Sequence, residues 1–278
     1  MTFQYSENNF DFEGCNVHYI TSGSGFPVLM LHGTGPGAST IGNWRVVMEP
    51  LARRYKIYAM DLIGFGKSSR RPAPPYFDIA LWMRQARTMI ERIEGEAIGI
   101  IGHSVSGALA LKLAAAEPRI SKIMVTGTMG APFPLNEGTI RTWTFPEDRS
   151  ALRAAAETLI YNRSLIDDTY LKNREAVLFK DDYKSYFSAM FAGEKQAYID
   201  ATVLDSEELR RITCDVTMLH GREDIAFPPE VALTLSRALE QASVYLIGRC
   251  SHSVAMEHPD VLINAAELLF PSNTAARA

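Results

Sequence analysis

The chain has 278 residues, 47% hydrophobic and 22% charged, with a formal net charge of -4. That is enough for one large buried core and too apolar for a disordered chain. Basic residues come only in pairs such as Arg53-Arg54, Arg70-Arg71 and Arg210-Arg211, so nucleic acid is excluded as a partner, because phosphate binding needs clustered positive charge.

In chain order, Met1 to Asn9 has neither a basic start nor an apolar stretch, and no run reaches the ~18 apolar residues of a membrane span. A soluble cytoplasmic protein with no membrane partner is expected. Cys15, Cys214 and Cys250 are far apart and lack metal spacing, so they read as reduced thiols, and no metal or cofactor is expected because none of the reactions weighed below needs one. Strands are predicted at Val17 to Thr21, Val28 to Leu31, Ile57 to Met60, Ile98 to Ile101, Ile123 to Thr126, Val216 to Leu219 and Val244 to Ile247. Between them, helical periodicity fits Trp44 to Arg54, interrupted by Pro50, then Phe77 to Ile93, Ser104 to Glu117, Pro229 to Leu239 and Pro259 to Phe270. Such alternation predicts an α/β fold with a mainly parallel sheet wrapped by helices. From about Ala131 to Arg211 the strand signal vanishes, and the segment reads as a helical lid. The expected organisation is a core from 1–130 and 212–278 with the lid at 131–211. The small, polar tail Ser272 to Ala278 is expected to fray.

The sequence Gly102-His103-Ser104-Val105-Ser106-Gly107, between the strand Ile98 to Ile101 and a helical run, has the outline of a nucleophile elbow. Small flanking residues are needed there because the serine is held in a strained conformation. Gly102 meets that need, and Ser106 stands where the strict pattern has glycine. A serine hydroxyl is a weak nucleophile until a base accepts its proton, and the base needs a carboxylate to fix its tautomer. The order Ser, acid, His points to Asp224, just past the strand Val216 to Leu219, and His252, just past Val244 to Ile247. Both would lie on loops at strand ends. Glu223 and Asp215 compete for the acid, His258 for the histidine, and His220 reads as structural. His103 is either packing or a polar wall of the site.

Acyl chemistry also needs donors for the developing oxyanion. One is the amide of Val105, next after the serine. The other is expected in Leu31-His32-Gly33-Thr34-Gly35-Pro36-Gly37, through the amide of Thr34. That loop lacks a P-loop lysine and the spacing of a dinucleotide fingerprint.

His32-Gly33-Thr34-Gly35-Pro36-Gly37-Ala38, Asn43-Trp44-Arg45 and Asp61-Leu62-Ile63-Gly64-Phe65-Gly66-Lys67-Ser68 resemble the meta-cleavage product hydrolases of bacterial aromatic degradation. The likeness continues through Met129 to Phe133, Tyr161 to Leu165, Arg174-Glu175-Ala176 and His220 to Asp224, and so covers nearly the whole chain. The resemblance implies an α/β-hydrolase fold with a mainly parallel eight-stranded sheet, helices on both faces and a helical lid. It implies a homodimer or higher homo-oligomer, and hydrolysis of a carbon-carbon bond in 2-hydroxy-6-oxohexa-2,4-dienoates. Carried over by position, Ser104 attacks the 6-oxo carbon, His252 shuttles protons and Asp224 orients it, while Thr34 and Val105 hold the oxyanion. Arg174 binds the carboxylate end, for which a planar fork of donors is suited. Gly35, Asn43, His103, Ser164 and Ser253 complete the substrate-binding set. The chain departs from the family's pattern at His103, where asparagine is usual, at Ser106, at Ser253, which follows the histidine where tryptophan is usual, and at Lys180-Asp181.

The same triad and oxyanion donors would serve a carboxylesterase or lactonase, and a ligand sensor on this scaffold would bind without multiple turnover. Phe133, Trp143, Met190 and Phe191 are candidates for the apolar half of the site.

Overall fold

The computed structural model describes residues 3–271, so the tail from Ser272 lies outside the described residues. β1 (Ser6–Phe12) and β2 (Cys15–Ser22) form an antiparallel hairpin. Its two-residue turn, Glu13-Gly14, has both φ angles positive, the geometry that matches the twist of paired strands. β3 (Pro27–Leu31), α1 (Thr40–Ala52), β4 (Lys56–Met60), α2 (Ile79–Arg92), β5 (Ile98–His103), α3 (Val105–Ala114) and β6 (Ile120–Thr126) follow. Only helices come next: α4 (Glu137–Thr142), α5 (Arg149–Leu159), α6 (Asp168–Leu178), α7 (Tyr183–Met190), α8 (Lys195–Asp200) and α9 (Ser206–Arg211). The chain then returns to the sheet through β7 (Asp215–Gly221), α10 (Glu230–Ala238), β8 (Ala242–Ile247), α11 (Val254–Glu257) and α12 (Pro259–Leu269).

The strands form one eight-stranded sheet in the order β1-β2-β4-β3-β5-β6-β7-β8, antiparallel from β1 to β4 and parallel from there to β8. Its two faces carry separate hydrophobic clusters. Along β3, Leu29 and Leu31 join the cluster with Trp82 and Leu109, while Val28 and Met30 join the one with Trp44 and Leu262. Strands buried on both faces need continuous apolar runs, and β5 is buried at every position.

The seven expected strands are all present, and the eighth, β1, had no β-rich signal. Its sequence SENNFDF is largely exposed at the sheet edge, so burial does not demand branched apolar residues there. α1 starts four residues before the expected Trp44, where Ser39 accepts a hydrogen bond from the Gly42 amide, and it continues through Pro50 in its last turn. The loops after β3, β5, β7 and β8 all leave the carboxyl ends of parallel strands, on the side covered by α4, α5 and α6.

Candidate active site

Ser104 sits between β5 and α3 with φ 60° and ψ -124°, outside the conformations that L residues normally adopt. The strain is sustained by close packing around it. A Cβ on Gly102 would lie 2.3 Å from the Ser106 carbonyl oxygen, and one on Gly107 would lie 2.3 Å from Thr128 Oγ1. Ser106 is fully buried and donates from Oγ to the His32 carbonyl at 2.5 Å, which ties the elbow to the loop after β3. A glycine there could not make that bond.

Asp224 and His252 meet at 2.7 Å between Oδ2 and Nδ1, with both residues buried. The other carboxylate oxygen accepts the amides of Ala226 at 3.2 Å and Phe227 at 2.9 Å, so the turn after β7 holds the acid in place. Burial pushes the Asp224 carboxyl up, but the His252 imidazole, its hydrogen bond and the nearby His220 ring outweigh it and hold the group well below the usual carboxylate range. The imidazole packs on Gly127, where a Cβ would come within 2.7 Å of its Nδ1. Glu223 instead accepts from the Cys250 amide at 3.1 Å, Asp215 pairs with Lys122, and His258 bonds the Arg249 carbonyl at 3.0 Å.

The loop after β3 passes directly over the serine: a Cβ on Gly33 would lie 3.0 Å from Ser104 Cβ. Among the described residues, the amides of Thr34 and Val105 have no protein acceptor, which leaves two donors beside Ser104. The loop is braced from below by Asp61, whose carboxylate accepts the amides of Thr40 at 2.7 Å and Lys67 at 2.9 Å. From above, Arg174 Nη1 donates to the carbonyls of Pro36 and Gly37, each at 3.1 Å.

Ser104 and His252 border one cavity, with about 80 Å³ open to water-sized molecules. Thr34, Gly35, Asn43, His103, Arg174 and Ser253 line it as well. The opposite wall is apolar and comes largely from α5, through Leu152, Ala155, Ala156 and Leu159. Their spacing of three, four and seven residues is one face of a helix, a signal the sequence carried but which reads equally well as core. The carboxyl end of α5 is bonded to the histidine loop, with the Thr158 carbonyl accepting from Ser251 Oγ at 3.2 Å and the Leu159 carbonyl from the Ser253 amide at 3.1 Å. These are carbonyls that a helix end leaves without internal partners.

The sequence profile described as the alpha/beta hydrolase fold matches residues 27–259. The 2-hydroxymuconate semialdehyde hydrolase of Pseudomonas sp. (strain CF600) is 31% identical over 246 residues, covering 88% of this chain and 87% of that protein. The 2-hydroxy-6-oxo-2,4-heptadienoate hydrolase of Pseudomonas putida (strain F1) is 30% identical, covering 87% of each. A solved meta-cleavage product hydrolase from Pseudomonas fluorescens IP01, a serine-to-alanine variant complexed with acetates, superposes with a TM-score of 0.87 at 28% identity over 91% of this chain and 93% of its own. The chain belongs to the meta-cleavage product hydrolases, within the α/β-hydrolase fold.

Against the expected substrate set, this hydrolase departs at one residue. Ser164 is exposed on the short 3-10 turn Arg163–Leu165 and donates to Asn162 Oδ1 at 2.7 Å, so it does not reach the cavity. The physical reason is that Asn162 caps that turn and captures the hydroxyl locally. Of the four apolar candidates only Trp143 borders the cavity, while Phe133, Met190 and Phe191 are buried in the core behind it. In this hydrolase Tyr170 and Met256 also face the cavity, and neither carried a distinguishing sequence signal. His103 is a polar wall rather than mere packing. Its Nδ1 lies 3.0 Å from the Thr126 carbonyl, which can only accept, so Nδ1 carries the proton and Nε2 is left as an acceptor. Burial, and then the His252 ring beside it, push the His103 pKa well below its ordinary value and keep it neutral. No helix among the described residues is long and apolar enough to cross a membrane, and none of their His, Cys, Asp and Glu side chains group to hold a metal ion.

Proposed function

We propose that this hydrolase cleaves the C5–C6 bond of a 2-hydroxy-6-oxohexa-2,4-dienoate, giving 2-hydroxypenta-2,4-dienoate and a carboxylic acid. The observation that carries the reading is the pairing, in one cavity, of Ser104 beside the buried Asp224–His252 couple with Arg174 on its wall. Carbon is a poor leaving group, so the dienol is first converted to its keto form, from which the departing fragment leaves as a conjugated enolate. Ser104 Oγ bonds to C6 as its proton passes to His252, and the oxyanion meets the amides of Thr34 and Val105. The C5–C6 electron pair moves into the enolate, a proton from His252 completes that product, and water releases the acyl group from Ser104. Asp224 remains a carboxylate throughout. Among the described residues Arg174 Nη2 has no protein acceptor, which leaves part of its fork for a substrate carboxylate. The relatives named as hydrolases of 2-hydroxymuconate semialdehyde and of 2-hydroxy-6-oxo-2,4-heptadienoate support this substrate class.

The test is bleaching of the visible colour of such a dienoate, lost in Ser104→Ala. Retained colour together with rapid hydrolysis of p-nitrophenyl acetate would replace this reading with the esterase one. As part of the same reading the protein works in the cytoplasm and is a homo-oligomer; sedimentation of the purified chain checks the second, and fractionation of producing cells the first.

A further inference from the structure

The turn that holds Asp224 ends on an aromatic ring set against the imidazole. Phe227 is 1% exposed, and its ring centroid lies 4.4 Å from that of His252 at an interplanar angle of 30°. Its place is fixed from both ends of its own peptide unit, since its amide donates to Asp224 Oδ1 at 2.9 Å and its carbonyl accepts from His220 Nε2 at 2.8 Å. Trp143 and Phe133 pack edge-on against it, with centroids 5.9 and 6.2 Å away. Phe227 does not border the cavity, so substrate contact does not explain it.

We propose that Phe227 is a positioning residue whose π face supports the imidazolium formed at His252 when Ser104 loses its proton. This rests on the reading above that His252 is the base. An aromatic face is negative and attracts a cation stacked on it, whereas an aliphatic side chain of similar size offers area without that field. The other groups facing the ring divide in sign. The Asp224 carboxylate favours the cation, and His220 stands behind it on β7. His103, at the end of β5 with its ring centroid 4.5 Å from that of His252, is neutral, while Arg174 on α6 borders the same cavity and opposes a second positive charge. Ser104 is the proton donor.

The experiment places 4-fluoro-, 3,4,5-trifluoro- and pentafluorophenylalanine at position 227, which drains the ring face while nearly keeping its shape. His252 is titrated by NMR in the resting enzyme, and the acid limb of kcat/KM is followed with the dienoate. Both should move stepwise to lower pH, by about half to one unit across the series, with kcat falling roughly 3- to 10-fold and KM unchanged. A titration that does not move along the series overturns the proposal, even if activity falls, because packing alone would then account for Phe227. If the pentafluoro protein does not fold, the lighter analogues and Phe227→Leu decide by the same titration. That measurement needs no substrate, so it stands apart from failure of the dienoate assay.

Discussion

Asp224 Oδ2 and His252 Nδ1 lie 2.7 Å apart with both side chains closed to solvent, although 28 residues separate them in the chain. The contact fixes the proton on Nδ1 and leaves Nε2 unprotonated on a residue that borders the same cavity as Ser104, as the proposed base requires. Asp224→Asn keeps the shape but offers a donor or a neutral oxygen where the imidazole needs an anion. We expect kcat for the dienoate to fall about 10⁴-fold with KM little changed, as loss of the anion does in serine triads generally. Steady-state kinetics of the purified variant check this.

Gly102→Ala should destabilise the fold rather than the chemistry alone. The added Cβ would stand 2.3 Å from the Ser106 carbonyl oxygen, a backbone atom with no rotamer to escape through. A loss of about 3 kcal/mol or more is expected, read as a lower denaturant midpoint with an unchanged slope.

Arg174→Ala removes both a brace on the loop after β3 and the fork facing the cavity. The dienoate should lose about 100-fold in kcat/KM, while p-nitrophenyl acetate, which has no carboxylate, loses several-fold at most through the loosened loop. Equal losses on the two substrates would reduce Arg174 to a structural role.

Folding stability should decline as the pH drops below about 6.5, the ordinary histidine pKa. His103 has a depressed pKa when folded, so below that pH the unfolded chain binds a proton that the folded one refuses, and the unfolded state gains. Its contribution is therefore complete above the unfolded pKa and lost as the pH falls. His32 acts in the same sense through burial, whereas the raised pKa of His18 acts in the opposite one. His103→Asn should flatten the slope of the unfolding midpoint between about pH 6.5 and 5 without abolishing it.

Much of the fold was legible because the sheet centre demands it. β5, buried on both faces, needs a continuous apolar run up to the polar His103 at its end, and the elbow announces itself through glycines that close contact requires. β1 was invisible because an exposed edge strand places no such demand on its residues. Ser164 misled because a likeness in motif says nothing of which way a hydroxyl turns, and here Asn162 is the nearer partner.

The chain by itself determined the nucleophile elbow and the alternation that makes an α/β sheet, since each depends on neighbours within a few residues, and the linear order of serine, acid and histidine, which can be read without the fold. Only the tertiary structure decided which polar groups share the cavity, that Ser106 ties the elbow to His32, that Thr126 holds the Nδ1 proton of His103, and that Phe227 lies on the imidazole of His252. Those relations join residues that are tens of positions apart, and they are set by how β5, β7, β8 and α5 pack, which no local pattern encodes.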